Sequence, residues 1–84
     1  LSVAPMSGQE DVALFEHLRQ LRSRLAQEQQ LPPYIIFSDK VLHLLATSRP
    51  STLEEFGNVS GIGEYKCQKY GTLFLKEIAS HVKG

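Results

Sequence analysis

The stretch Leu31-Pro32-Pro33-Tyr34-Ile35-Ile36-Phe37-Ser38-Asp39 decides the fold. Two adjacent prolines interrupt a helical pattern, because proline lacks an amide donor and disfavours helix in the residue before it. Pro33 is suited to open a short helical turn through Ile36. Tyr34, Ile35, Ile36 and Phe37 then run straight into Ser38 and Asp39, either of which can cap a new helix. A connector carrying four large apolar side chains is expected to be held in place by burial. It presents a tyrosine close to its start.

The pattern extends outward from this connector. Upstream, Leu14, Leu18, Leu21 and Leu25 recur at helical spacing with Phe15 beside them, which predicts a first helix ending near Gln29. Ser7-Gly8-Gln9-Glu10 fits a capping box at its start, with Ser7 as N-cap. Downstream, Val41, Leu42, Leu44 and Leu45 give a broad apolar face to a helix from Lys40 to about Thr47, stopped by Arg49-Pro50. Ser51-Thr52-Leu53-Glu54 is a second capping-box candidate, opening a short helix to Phe56 that Gly57-Asn58 closes. Residues 59–63 read as a tight turn, and a last helix runs from Glu64 to about Val82. On it Cys67, Phe74, Leu75, Ile78 and Val82 share one face, with Gly71 among them to admit a close neighbour. The only β-favouring run, Ile35-Ile36-Phe37, is too short and too proline-flanked to build a sheet. The chain therefore reads as an all-α bundle of two long helices and about three short ones.

Length and composition narrow the function classes. With 84 residues the chain fits one domain. Residues 1–7 read as a linker or tail and residues 8–84 as the domain. Nine basic and nine acidic residues balance, so no global field draws the chain to nucleic acid. The balance is uneven along the chain: residues 61–84 carry four basic and two acidic groups, and both earlier thirds are net negative. Any binding is expected to be weak and local. Cys67 is the one cysteine, so no internal disulfide forms, which suits an intracellular protein. No apolar run is long enough to span a membrane, and the first residues lack the charged-then-apolar order of a signal peptide.

No catalytic apparatus stands out. His17, His43 and His81 have no metal-ligand spacing with one another or with Cys67, which reads as a small core residue. There is no nucleotide-binding loop of the Walker type, and Glu54-Glu55 reads as capping and solubility. No cofactor, metal or catalytic residue is expected.

The binding candidates are few. Tyr34 could stack on an unpaired base, although spacing alone favours its packing inward with Phe37. Gly61-Ile62-Gly63 could let the backbone approach a phosphate, much as helix-hairpin-helix turns do; the alternative is a positive-φ turn with Ile62 plugging the core. Lys66 and Lys69 follow it directly, and Lys69, Lys76 and Lys83 form a stripe with Tyr65 and Thr72 that could track phosphates. Of the second basic cluster, Arg24 points away from the core stripe and Arg19 lies at its edge. Arg22 falls close to the stripe and is expected to pair with a carboxylate inside the fold.

The order of these pieces resembles one family, the helicase-and-ribonuclease-D C-terminal (HRDC) domain. The resemblance rests on Leu18-Arg19-Gln20-Leu21-Arg22 with Leu25-Ala26, the Pro32-to-Asp39 run, Leu42, and Pro50-Ser51-Thr52-Leu53-Glu54-Glu55-Phe56. Val59-Ser60-Gly61-Ile62-Gly63, Lys66 and Tyr70-Gly71 complete it, so that it covers roughly residues 9–82. It implies a compact five-helix orthogonal bundle, SAM-like, with a helix-hairpin-helix-like turn. It also implies an accessory module of a RecQ-type ATP-dependent DNA helicase acting in recombination and repair, or less closely of a ribonuclease D. Its setting would be the bacterial cytoplasm or nucleoid, with a nucleus as the alternative.

Family members often bind single-stranded or partially single-stranded DNA weakly, some through the Pro-Pro-Tyr tyrosine and neighbouring basic residues, which correspond here to Tyr34 and Lys40. The expected DNA-binding set is Tyr34, Lys40, Lys66, Lys69, Arg19, Gly61 and Gly63, in a domain that is monomeric when isolated. The rival expectation is a regulatory module that docks on the helicase core of its own chain or on a repair protein, motivated by zero net charge and the apolar connector.

Overall fold

The computed structural model describes residues 11–83. Five helices follow in order: α1 (Val12–Gln29), α2 (Pro33–Ile36), α3 (Asp39–Ser48), α4 (Leu53–Gly57) and α5 (Glu64–Lys83). No strand occurs among the described residues. The all-α five-helix expectation is met, and α2 coincides with the single turn expected after Pro32.

Local chemistry sets most of the boundaries. The capping box expected at Ser7–Glu10 lies outside the described residues. The N-cap of α1 is Asp11, whose Oδ1 accepts from the Leu14 amide at 3.0 Å. The Asp11 amide donates to the Ala46 carbonyl at 3.1 Å, and its Oδ2 lies 3.0 Å from His81 Nε2. One residue thus joins the start of α1 to α3 and α5. At the other end, Gln30 turns left-handed (φ 57°) before the prolines are reached, and the Leu31 amide closes back on the Ala26 carbonyl. Ser38 caps α3 through its Oγ, and Arg49 ends that helix in the left-handed region (φ 47°). The cap of α4 sits one residue later than the sequence suggests. Thr52 Oγ1 accepts from the Glu55 amide, and Glu55 Oε1 accepts from the Ser51 amide and hydroxyl. Glu55, three residues beyond the cap Thr52, is the glutamate that reaches back, and it does so to Ser51, the residue before the cap.

The core gathers around Phe37. Leu14, Leu18, Leu21 and Leu25 supply the α1 side, Leu42 and Leu45 the α3 side, and Phe74 and Ile78 the α5 side. The Phe37 ring meets Phe56, Tyr70 and Phe74 at centroid distances of 6.0, 5.9 and 5.1 Å, each near edge-to-face. Such pairs add about 0.5–1.5 kcal/mol beyond the area they bury. Arg22 is buried as its place on α1 suggests: its Nη1 donates to the Phe37 carbonyl (3.0 Å) and to Asp39 Oδ1 (2.7 Å). Gly71 admits α4, since a Cβ there would stand 2.7 Å from Leu53 Cδ2. Two expectations for α5 change. Val82 is 58 % exposed and leaves the apolar face, and Cys67 is only half-buried, its Sγ–H directed at the Leu53 carbonyl. Val82 lies at the end of α5, where fewer neighbouring elements remain to cover an apolar stripe, whereas Cys67 packs against the core beside α4 without being fully covered.

Two measurements test these supports. Asp11→Ala should lower stability by about 0.5–2 kcal/mol at neutral pH, read as a fall in melting temperature. Amide donation from Leu14, and then the contact with His81, hold the Asp11 carboxyl below its ordinary 3.8. Its contribution is therefore complete above that value and lost as pH falls through the lower folded value. The melting-temperature gap between wild type and variant should close as pH drops below 3.8. Gly61, at φ +95° with Val41 Cγ2 only 2.8 Å from where a Cβ would stand, should not tolerate alanine, at a cost of at least about 1 kcal/mol. Gly63→Ala, with nothing within 4 Å, should fold normally in the same melt.

Candidate nucleic-acid interface

The connector divides between core and solvent. Ile36 and Phe37 are fully buried, whereas Tyr34 is 67 % exposed and Ile35 and Leu31 are partly exposed. The inward packing that spacing alone favours for Tyr34 does not occur. A single turn of helix, closed by the Ile35 amide on the Pro32 carbonyl, can bury only one side, and Ile36 occupies it. Tyr34 is thus an exposed ring on a backbone fixed by proline on one side and by Phe37 on the other.

The first turns of α5 lie against the same connector. Lys66 is half-buried, its Nζ 6.0 Å from the Phe37 ring centroid, at the outer limit of a cation–π contact. Lys69 is exposed; its Nζ donates to Tyr65 Oη at 3.3 Å and stands 5.4 Å from the Tyr70 ring. The hydrogen bond to Tyr65, followed by weaker attraction from both tyrosines, raises the Lys69 pKa above its ordinary value, so the group stays cationic. Tyr70 itself is core, with its hydroxyl donating to Gln29 Oε1 at 3.0 Å. Lys66 and Lys69 are therefore set into an aromatic layer whose centre is Phe37.

The remaining expected residues are less alike. Lys40 is exposed in the first turn of α3, next to Asp39, the partner of Arg22. Arg19 donates from Nε and Nη2 to Glu16 Oε1 at 3.0 and 2.7 Å, so a phosphate there competes with an existing partner. That hydrogen bond, with the fields of Glu16 and Asp39, raises the Arg19 pKa further. At the turn the structure has the form of the second alternative. Ile62 is buried as a plug and Gly61 takes positive φ, while Gly63 is exposed with open space beside it. Tyr65, placed by the sequence on the lysine stripe but not among the expected binding residues, is 70 % exposed. The available signal was its i, i+4 relation to Lys69.

Other chemistry finds no geometry among the described residues. No group of three or more His, Cys, Asp or Glu side chains is placed to hold a metal ion, and no helix is long and apolar enough to cross a membrane. His17 and His81 approach each other (ring centroids 5.3 Å) but pair with Glu77 and Asp11.

Comparison with known proteins agrees with this architecture. The HRDC domain family model matches residues 11–78. An ATP-dependent DNA helicase RecQ of Bacillus subtilis (strain 168) is 40 % identical over 74 residues, 88 % of this chain and 12 % of that protein. The RecQ of Haemophilus influenzae is 35 % identical over 71 residues, 84 % of this chain and again 12 % of the helicase. The chain thus spans about an eighth of the length of these relatives. A solved structure, D. radiodurans RecQ HRDC domain 3, superposes with a TM-score of 0.81 at 35 % identity, covering 84 % of this chain and 93 % of that one. In sequence and in fold alike, the chain belongs to the HRDC domain family.

Proposed function

We propose that this domain is the auxiliary nucleic-acid-binding module of a RecQ-type ATP-dependent DNA helicase, weakly holding single-stranded or partially single-stranded DNA and so tuning which structures the helicase engages in recombination and repair. RecQ relatives on both comparisons favour that parent over a ribonuclease D. The observation that carries the reading is Tyr34, a solvent-facing ring on a connector locked by Phe37. A backbone already fixed beneath an exposed ring lowers the ordering cost when a base stacks on it. Lys66 and Lys69 supply phosphate contacts from the adjacent turns of α5, Lys40 a further cation from α3, and Gly63 an open backbone approach. Arg19 is the weakest member, because Glu16 already holds it. With zero net charge overall, attraction is confined to this patch.

A second reading has one observation in its favour. Leu31 and Ile35 are exposed on the same connector, as a surface docking on the helicase core or a repair protein would require.

A salt titration separates the two. Fluorescence anisotropy of a labelled single strand should show binding at low salt that weakens with salt, by about 0.7 in log–log slope for each phosphate neutralised. Reversing charge at Lys66 and Lys69 should flatten that slope. Tyr34→Ala should weaken binding about five-fold or more with an unchanged melting temperature, the loss of one stacked base. Absence of binding at low salt and high protein concentration would sink the reading and favour the docking surface.

A further inference from the structure

Tyr65 is the most exposed large apolar side chain among the described residues, slightly ahead of Val12 and Tyr34. It sits in the first turn of α5 and is not left to swing freely. Its hydroxyl accepts a hydrogen bond from Lys69 Nζ one helical turn on, at 3.3 Å, and that ammonium lies 5.5 Å from the Tyr65 ring centroid. Ring and cation are thus paired, the ring largely exposed with a positive charge beside it. This is the arrangement a nucleotide needs, an aromatic face for the base and a cation for the phosphate beside it.

The unit is linked through the core to the connector that carries Tyr34. The same Lys69 Nζ stands 5.4 Å from the Tyr70 ring, and Tyr70 packs edge-on against Phe37. Phe37 closes the turn that carries Tyr34, and Lys66 lies against its ring. Lys69 thus links Tyr65 to the buried Tyr70–Phe37 pair, and Phe37 is three residues from Tyr34 along the connector.

We infer that Tyr65 is a second base-stacking platform, with Lys69 as its phosphate contact, so that an unpaired strand is held at two aromatic points, Tyr34 and Tyr65. The inference rests on the nucleic-acid reading above. It specifies the ligand: a strand whose bases are free to leave one another, since a duplex keeps its bases stacked and out of reach of either ring. A single-stranded tail or gap satisfies both platforms; a blunt duplex satisfies neither.

The test is fluorescence anisotropy at low salt with a labelled dT oligonucleotide and an abasic strand of equal length and charge. Wild type, Tyr34→Ala, Tyr65→Ala and Tyr65→Phe are compared, with thermal melts confirming that each variant folds. The expected result is a roughly five-fold or greater loss for Tyr65→Ala on dT, the equivalent of one stacked base. Tyr65→Phe should stay within about two-fold of wild type, because the ring face is retained. The preference for dT over the abasic strand should shrink in Tyr65→Ala, a readout that a purely structural role would not move. If Tyr34→Ala weakens binding but Tyr65→Ala does not, the second platform is refuted and the nucleic-acid reading stands. If Tyr65→Phe binds as poorly as Tyr65→Ala, the hydroxyl tether rather than stacking is at work and the inference is overturned. If wild type binds neither strand, both readings fall together, and Tyr65 with Lys69 becomes a candidate protein contact.

Discussion

Phe37 is the residue on which the rest of this domain depends. Its ring packs edge-on against Phe56 from α4 and against Tyr70 and Phe74 from α5, while its carbonyl accepts from Arg22 on α1. Its own backbone forms the hinge between α2 and α3. In a small domain each short helix buries little area by itself, so a side chain that touches several helices at once contributes disproportionately. Phe37 does so, its ring meeting α4 and α5 and its carbonyl meeting α1. The buried guanidinium of Arg22 belongs to the same arrangement. Its two hydrogen bonds from Nη1 fix the hinge carbonyl and the first residue of α3, although its Nε finds no partner among the described residues. Burying that charge is tolerable because Asp39 stands 2.7 Å away with one side in water.

The same hinge decides what faces solvent. Once Phe37 and Ile36 are committed to the core, a one-turn helix has no geometry left that would also bury Tyr34. Exposure of an aromatic ring is therefore a consequence of packing, and a firm backbone beneath it comes with it. The lysines of α5 share the device. Lys66 lies against Phe37 and Lys69 against Tyr65 and Tyr70, so the cations are positioned by rings rather than by carboxylates. Arg19 has the opposite fate: paired with Glu16, it adds little to a positive surface. A chain with no net charge can in this way still present a small, locally cationic and aromatic face.

Much of this was legible in the sequence. Helical spacing of Leu14, Leu18, Leu21 and Leu25 marked the α1 core face, and the two prolines marked its end to within a few residues. Burial of Arg22 followed from its position near that stripe, and the crowding at Gly71 from a small residue amid an apolar face. Where the reading slipped, the competing choices were chemically equivalent. Ser51 and Thr52 are both good caps followed three residues later by glutamate, and only the backbone conformation distinguishes them. Val82 satisfied the helical period but had no neighbouring element to cover it.

The sequence by itself determined the helices, their approximate ends and the face each one buries, because caps, prolines and apolar periodicity act within a few residues along the chain. It also carried the family, through the spacing of the Pro-Pro-Tyr run and the Gly-Ile-Gly turn. Tertiary structure alone decided the direction of Tyr34, the pairing of Arg19 and the meeting of Asp11 with His81, seventy residues apart. These outcomes depend on which elements lie against one another. A one-turn helix has no period from which an outward face can be read, and a pair so distant in sequence leaves no local pattern until the bundle closes around Phe37.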